Sequence, residues 1–337
     1  MIRRGVVAAL WVLPLGGLLL ALALLGRPYQ GFAAEGVVVE IPDGTSAGDA
    51  AEILARAGVI RRAWTFRWLV RVDGSAQRLR SGEYRFAGPR TLFAVRDMLL
   101  RGEVVRHRLT VPEGLTLSEV AALLEREGWG DAGSVRAAAR HTEAIADLDP
   151  AASDLEGYLF PDTYEFARRT PADQIVARMV SRFREVFSAA RVGAARAAGL
   201  SPREAVTLAS LIEEETHIPS ERALVASVFR NRLRRGMLLQ CDPTVVFALA
   251  LAGRSRSPLT RVDLRFESPY NTYLHAGLPP GPIASPGEAA LRAAIEPYAS
   301  DYLYFVASGT GGHHFTRTLP EHLRAVRRYR ETTRNAR

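Results

Sequence analysis

The 337-residue sequence contains no lysine: all 44 of its basic side chains are arginine. They are spread along the whole chain, so the pattern reads as compositional bias more than as design for guanidinium chemistry. One cysteine, Cys241, excludes an internal disulfide and leaves the compartment open. No glycine-rich phosphate loop stands between a strand and a helix, which argues against nucleotide binding. No H-E-x-x-H pattern or cysteine cluster is present, so no metal or other cofactor is expected. A serine–histidine–aspartate hydrolase setting is also missing. The formal charge is +8, but no zinc finger and no aromatic-interleaved basic cluster accompanies it. Nucleic acid is therefore excluded as a partner, while anionic lipid or an acidic polymer stays open.

What is present is the composition of a folded protein, 47% hydrophobic and 24% charged, with length enough for two domains. The first thirty residues form a separate segment. Arg3 and Arg4 precede an uncharged stretch that lasts until Arg27. Such a run spans a hydrocarbon core of ~30 Å as a helix. The early arginines place its N-terminal end in the cytoplasm and the bulk of the chain outside. The rival reading is a cleaved signal peptide, with "GFAA" at 31–34 as its small-x-small site. That site lies far beyond an apolar run already long for a signal. The expectation is a single-pass anchor over 1–30 in the cytoplasmic (inner) membrane.

Past the anchor the chain echoes itself. "IPDGTSAGDAAEILARAG" (41–58) aligns without a gap to "VPEGLTLSEVAALLEREG" (111–128). Each reads as a strand ending at Pro-acid-Gly, a hydroxyl cap, and an amphipathic helix stopped by glycine. In the second copy Thr116 or Ser118 is the expected cap. Two modules follow, each opening with a strand and a helix. The first, 36–105, has strands at 37–41 and 82–86 and helices at 46–57, 61–73 and 91–101. Its β-α-α-β order resembles a LysM-like domain, and a plain structural stalk is the alternative. Trp64, Phe66 and Trp68 are expected in its core. The second, 108–337, has helices at 117–127, 171–187, 202–216 and 219–235, a strand at 301–308 and a closing helix from Pro320. The fold class is α+β, with a larger mixed domain that has a helical centre.

"LASLIEEET" (208–216) ends the central helix in three glutamates. At ~100° per residue, Glu204, Thr207, Ser210 and Glu214 gather on one side, and Ala205, Val206, Ala209 and Ile212 on the other. Glu214 sits mid-way along the polar face, as a solvated charge does. Glu213 falls inside the apolar arc. A carboxylate there either finds a partner or has its pKa raised by desolvation, which is what a general acid near neutral pH requires. The competing reading is an ion pair with Arg222 or Arg232.

The flanking residues narrow the choice. "IEEETHIPSERALVASVFRNRLRRGMLLQCDPTVVFAL" (212–249) resembles the endolytic murein transglycosylases of the MltG (YceG-like) family. "EGYLFPDTYEF" (156–166), "SPYNTYLHAGLPPGPIASPG" (268–287) and "DYLYFVASGTGGHHFTRTLPEH" (301–322) extend the resemblance over nearly everything beyond residue 35. Cys241 departs from it, at a turn position where a small polar residue is expected. The resemblance implies that Glu213, first of the E-x-E-T motif, is catalytic. It also implies cleavage of the MurNAc–GlcNAc β-1,4 bond of peptidoglycan glycan strands without water, leaving 1,6-anhydro ends, and peptidoglycan synthases as candidate partners. A lysozyme-like hydrolase remains open with Glu215 or Asp242 as second carboxylate, as does a non-catalytic cell-wall scaffold. Gln240, Asp242, Tyr270, Asn271 and Tyr273 are candidate substrate-binding residues, since polar turns beside aromatic rings suit acetamido sugars. His313-His314 reads as a solvated turn, and "RLRRG" (232–236) as a solvated helix face.

Overall fold

The structure, a computed structural model, describes residues 26–254, 258–309 and 311–335. Of the expected anchor over 1–30, residues 1–25 lie outside the described residues. Among the described residues no helix is long and apolar enough to cross a membrane. They divide into two units, one reaching to residue 108 and including 165–169, the other made of 109–164 and the rest of the chain.

In the first unit β1 (Val37–Ile41) pairs antiparallel with β2 (Gly82–Phe86), with Val39 opposite Tyr84. Alternation sends Val39, Ile41, Tyr84 and Phe86 inward and leaves Val38, Glu40 and Arg85 exposed. Between the strands run α1 (Ala47–Arg56), capped by Ser46, and α2 (Ala63–Val72); α3 (Leu92–Arg101) follows, capped by Thr91. Leu54, Phe66, Val95 and Leu99 close the core against the strands. The expected β-α-α-β order is present. The tryptophans depart from expectation: Phe66 is buried, but Trp64 is 57% and Trp68 48% exposed. Apolar residues at 63, 66, 69 and 70 already complete the inward face of α2, which turns 64 and 68 away.

The second copy of the echo is β3 (His107–Thr110), which pairs with β4 (Thr163–Phe166), and α4 (Leu117–Arg126). Of the two expected caps, Thr116 is the one used. It forms a capping box with Glu119, each side chain meeting the other's backbone N–H. Then come α5 (Ala132–Ala138), α6 (Ala172–Val186), α7 (Ala189–Ala197) and α8 (Pro202–Glu215). After α9 (Arg222–Arg234), α10 (Asp242–Leu251) and α11 (Glu288–Ile295), the hairpin of β5 (Tyr304–Ala307) and β6 (His313–Thr316) packs against α12 (Leu319–Asn335). Helices α5, α7, α10 and α11 and strands β4 and β6 go beyond the expected elements. At α10 the D-P-T stretch reads as a turn, yet proline in the first helical turn starts a helix as well as it ends one.

Helix α8 is the centre of this unit, packed on α11, α9, α10 and α7. That position changes the reading of its polar side: Thr207 and Ser210 are buried. Ser210 Oγ donates to Thr207 O at 2.7 Å and accepts the Ile283 N–H at 3.1 Å, so its polarity is used internally.

The two faces of α2 make a direct comparison. Phe66→Ala is expected to destabilise the first unit by ~3–5 kcal/mol, and Trp64→Ala by no more than about 0.5 kcal/mol. Urea unfolding followed by hydrogen exchange in β1 and β2 measures both.

Candidate active site

Ser201, Pro202 and Glu204 start α8 with a capping box and a first-turn proline. Its other end places three carboxylates in the final turn, where the helix dipole is negative and gives them no support. Successive residues point ~100° apart, so the three glutamates meet three different surroundings.

Glu213 is 1% exposed, as its place in the apolar arc predicts. Arg222, in the first turn of α9, donates from Nη2 to Glu213 Oε1 at 2.7 Å. The Gly287 N–H, just before α11, donates to Oε2 at 2.9 Å. Of the two arginines named as partners, Arg222 takes the role. Arg232 is buried elsewhere and donates to Leu303 O at 2.7 Å and Leu239 O at 2.6 Å, so the first residue of "RLRRG" is not on a solvated face.

A second carboxyl group joins this pair. Arg222 Nη2 also donates to Glu113 Oε2 at 3.2 Å, and Glu113 hydrogen-bonds with Glu213. Burial, and then the charge of Glu213, raise the Glu113 pKa above the usual carboxylate range. The Glu113 side chain is 46% exposed, so of the two touching carboxyl groups only this one reaches solvent. A Cβ at 287 would lie 1.8 Å from Glu113 Oε1, so a side chain there would displace the Glu113 carboxyl. Two buried polar atoms beside the pair, Arg222 Nε and Ser285 Oγ, have no hydrogen-bond partner among the described residues.

Glu214 corrects the helical wheel. It is half-buried against the β3–α4 turn, where a Cβ on Gly114 would meet its Oε1 at 2.7 Å. Burial and the neighbouring Glu119, Glu213 and Glu215 charges push its pKa to about 7. Glu215 points towards the start of α10. Burial lifts its pKa to about 7, against a hydrogen bond with the Cys241 thiol. The unexpected cysteine is thus a buried neighbour of a carboxyl group.

The five loop residues separate into distinct roles. Gln240 is exposed and, among the described residues, the one non-glycine with positive φ, at 52°. Its N–H is held by Thr272 O at 3.1 Å, a constrained backbone of the kind that collects at functional sites. Asp242 is exposed and accepts from Tyr273 Oη at 2.5 Å. Tyr270 is half-buried and its ring packs on Phe247, 5.0 Å between centroids. Asn271 is a correction. It is fully buried, donates to Leu264 O and Phe266 O at 3.1 and 2.8 Å, and accepts the Tyr273 N–H at 2.9 Å. Its amide is used up inside the loop and offers nothing to a ligand.

His313 is likewise not in a solvated turn. It lies in β6, with Nδ1 2.7 Å from Glu221 Oε2, and its N–H donates to Glu221 Oε1 at 2.9 Å. No group of side chains among the described residues is arranged to hold a metal ion.

The family model that matches is that of the YceG-like family, over residues 39–328. The chain belongs to the YceG-like family. The endolytic murein transglycosylase of Bacillus subtilis is 34% identical over 331 residues, covering 94% of this chain and 91% of that protein. The endolytic murein transglycosylase of Streptococcus pneumoniae is 28% identical over 313 residues, covering 85% of this chain and 56% of the relative. The crystal structure of a yceG-like protein from Listeria monocytogenes superposes with a TM-score of 0.59 at 33% identity. The match covers 87% of this chain and 99% of the other.

A further carboxyl group stands outside these contacts. Glu156 accepts the Leu117 N–H at the start of α4, 3.0 Å to each oxygen, and burial lifts its pKa to about 8. A carboxyl whose folded pKa exceeds its unfolded 4.5 binds more protons folded than unfolded between the two values. Stability therefore falls as pH rises through that window. The melting temperature is expected to drop from pH 5 to pH 8, and Glu156→Gln, which keeps an acceptor for Leu117, is expected to reduce that drop. Calorimetry across the range checks it.

Proposed function

We propose that this protein is a peptidoglycan lytic transglycosylase with Glu213 as its general acid and base. The observation that carries the reading is the buried carboxyl of Glu213, held at both oxygens by Arg222 and Gly287 and joined to Glu113. Membership of the YceG-like family and similarity to proteins named endolytic murein transglycosylase support the choice of substrate.

The chemistry needs a single carboxyl group. Protonated Glu213 gives its proton to the glycosidic oxygen between MurNAc and GlcNAc as the C1–O bond breaks. The resulting carboxylate takes the proton of the C6 hydroxyl of the same MurNAc, and that oxygen closes on C1 to form the 1,6-anhydro ring. The proton returns to Glu213 and no water is consumed. Glu113 acts as a positioning residue. It shares its hydrogen bond with Glu213 and is the solvent-facing member of the pair. Arg222 and the Gly287 N–H hold the orientation of Glu213 while its charge changes, and preorganised donors of this kind need no rearrangement during the reaction.

A hydrolase reading requires two carboxyl groups about 5–5.5 Å apart for retention, or farther for inversion, across the bond that breaks. Glu113 and Glu213 hydrogen-bond each other and leave no space between them for a sugar. That favours the reaction in which the sugar supplies its own nucleophile. Gln240, Asp242 and Tyr273 remain candidate sugar contacts, with Tyr270 beside them. The uncharged N-terminal run supports a single-pass membrane protein with its catalytic domain on the extracytoplasmic side. Acting inside strands near the membrane, it would end the growth of nascent glycan chains, with peptidoglycan synthases as partners. The order of the first unit agrees with a LysM-like module.

Mass spectrometry of glycan strands incubated with the full chain in detergent tests the reaction. Anhydro-ended fragments are expected from the wild type, with a loss of about 10²-fold or more for Glu213→Gln. Glu113→Gln is expected to keep the same products at about tenfold lower rate, with a displaced pH profile. Reducing ends in place of anhydro ends would make the enzyme a hydrolase. Wild-type turnover by Glu213→Gln would remove Glu213 from the mechanism.

A further inference from the structure

The outer face of α2 has no task in the reaction above. Trp64, Trp68 and Val72, at i, i+4 and i+8, form a continuous apolar stripe with exposures of 57%, 48% and 64%. Single exposed apolar residues are ordinary, but an aligned stripe with two tryptophans marks a surface that meets something other than water. Beside it lies a cavity of about 620 Å³, into which Trp64, Trp68 and Tyr29 present their rings with Arg27, Arg61, Arg62 and Arg90. Among the described residues no carboxylate or side-chain amide lines it, the Tyr29 and Thr65 hydroxyls being its side-chain acceptors, and the Arg61 guanidinium lies over the Tyr29 ring, 5.1 Å from its centroid.

The position of this face in the chain identifies its occupant. The uncharged run from Gly5 to Gly26 ends at Arg27, itself part of the cavity wall. Directly afterwards the chain is fastened to the unit. Tyr29 and Arg90 exchange backbone hydrogen bonds of 2.9 and 3.1 Å, and the Gly31 N–H donates to Gly58 O at 2.8 Å. From Gly26 to Tyr29 the chain reaches at most ~10 Å. Whatever surface the apolar run enters therefore lies beside the tryptophan stripe. Tryptophan belongs to the headgroup level of a bilayer, and arginines beside it attract anionic lipid.

We propose that the outer face of α2 and its arginine-lined cavity form a docking surface for anionic phospholipid headgroups, seating the first unit on the membrane. The proposal rests on reading residues 5–26 as a membrane span. A sugar ligand fits less well, because four guanidiniums supply donors without a carboxylate or amide to accept from sugar hydroxyls.

The test uses the full chain in vesicles of phosphatidylglycerol and phosphatidylethanolamine, with lipids brominated either close to the headgroup or deep in the acyl chain. The four tryptophans are 11, 64, 68 and 129, and Trp129 is buried, so it gives a constant background. In a Trp11→Phe protein, shallow bromines are expected to remove roughly half of the Trp64 and Trp68 emission, and the loss is expected to shrink when Arg61 and Arg62 are changed to glutamate. In a Trp64→Phe/Trp68→Phe protein, Trp11 is expected to be quenched by deep bromines, which reports the span separately. Quenching of Trp11 with silence from Trp64 and Trp68 would overturn the docking surface and leave the span intact. Silence from all three would overturn both. An emission shift of Trp64 and Trp68 on adding glycan strands, without bromolipid quenching, would overturn the lipid assignment in favour of sugar.

Discussion

A helix that finishes in three carboxylates has its own dipole against it, and the rest of the second unit is arranged around meeting that charge. The Arg222–Glu213 contact is the central case. Both side chains are buried, and removing one partner of such a pair costs about 3–5 kcal/mol, because the other is left charged and dry. The arginine comes from the first turn of α9, so the segment 216–221 has to reverse the chain within a few residues. The Gly287 N–H completes the coordination from the start of α11, the helix most extensively packed on α8. Residues 213, 222 and 287 are thus brought together by three helices, and the turn carrying Glu113 closes over them.

The three glutamates differ by where the helix aims them, not by chemistry. Glu213 enters a buried cluster with Arg222, the Gly287 N–H and Glu113, Glu214 a crowded turn beside other carboxyls, and Glu215 a pocket shared with a thiol. Burial raises the pKa of the last two to about 7, so raised pKa alone does not distinguish the catalytic candidate among the three. What sets Glu213 apart is its geometry: both of its oxygens accept from fixed donors, Arg222 and the Gly287 N–H.

Much of this was readable from residue order. The periodicity of 202–216 locates Glu213 on an apolar arc, and the Pro-acid-Gly echo locates both strand–helix starts and narrows the second cap to Thr116 or Ser118. What failed has a common physical origin. The wheel assumed that one side of α8 faces water, but a central helix has neighbours all round. Glu214, Thr207 and Ser210 were misplaced for that reason. The tryptophans of α2 depart from expectation in the opposite sense: size and apolarity suggest core, but a smaller set at 63, 66, 69 and 70 already fills it. Asn271 looked like a sugar ligand because amides in loops do both jobs, and here the loop uses all of it. Glu113 carried no local signal. It sits in a turn a hundred residues before its partner, and only the folded chain brings the two together.

That pairing bears on the difference between the two reactions a buried acid can support. A hydrolase must activate something across the sugar from its acid, so its second carboxyl has to stand apart from the first. Here the second carboxyl in contact with Glu213 is on the same side, hydrogen-bonded to it and sharing its arginine. In that position it is the solvent-facing member of the pair. Glu215 and Asp242, the other acids at this end of α8, are engaged with Cys241 and Tyr273 instead. A reaction in which the substrate brings its own nucleophile, as proposed above, asks for no second carboxyl across the ring, and the contact of Glu113 with Glu213 is compatible with that demand.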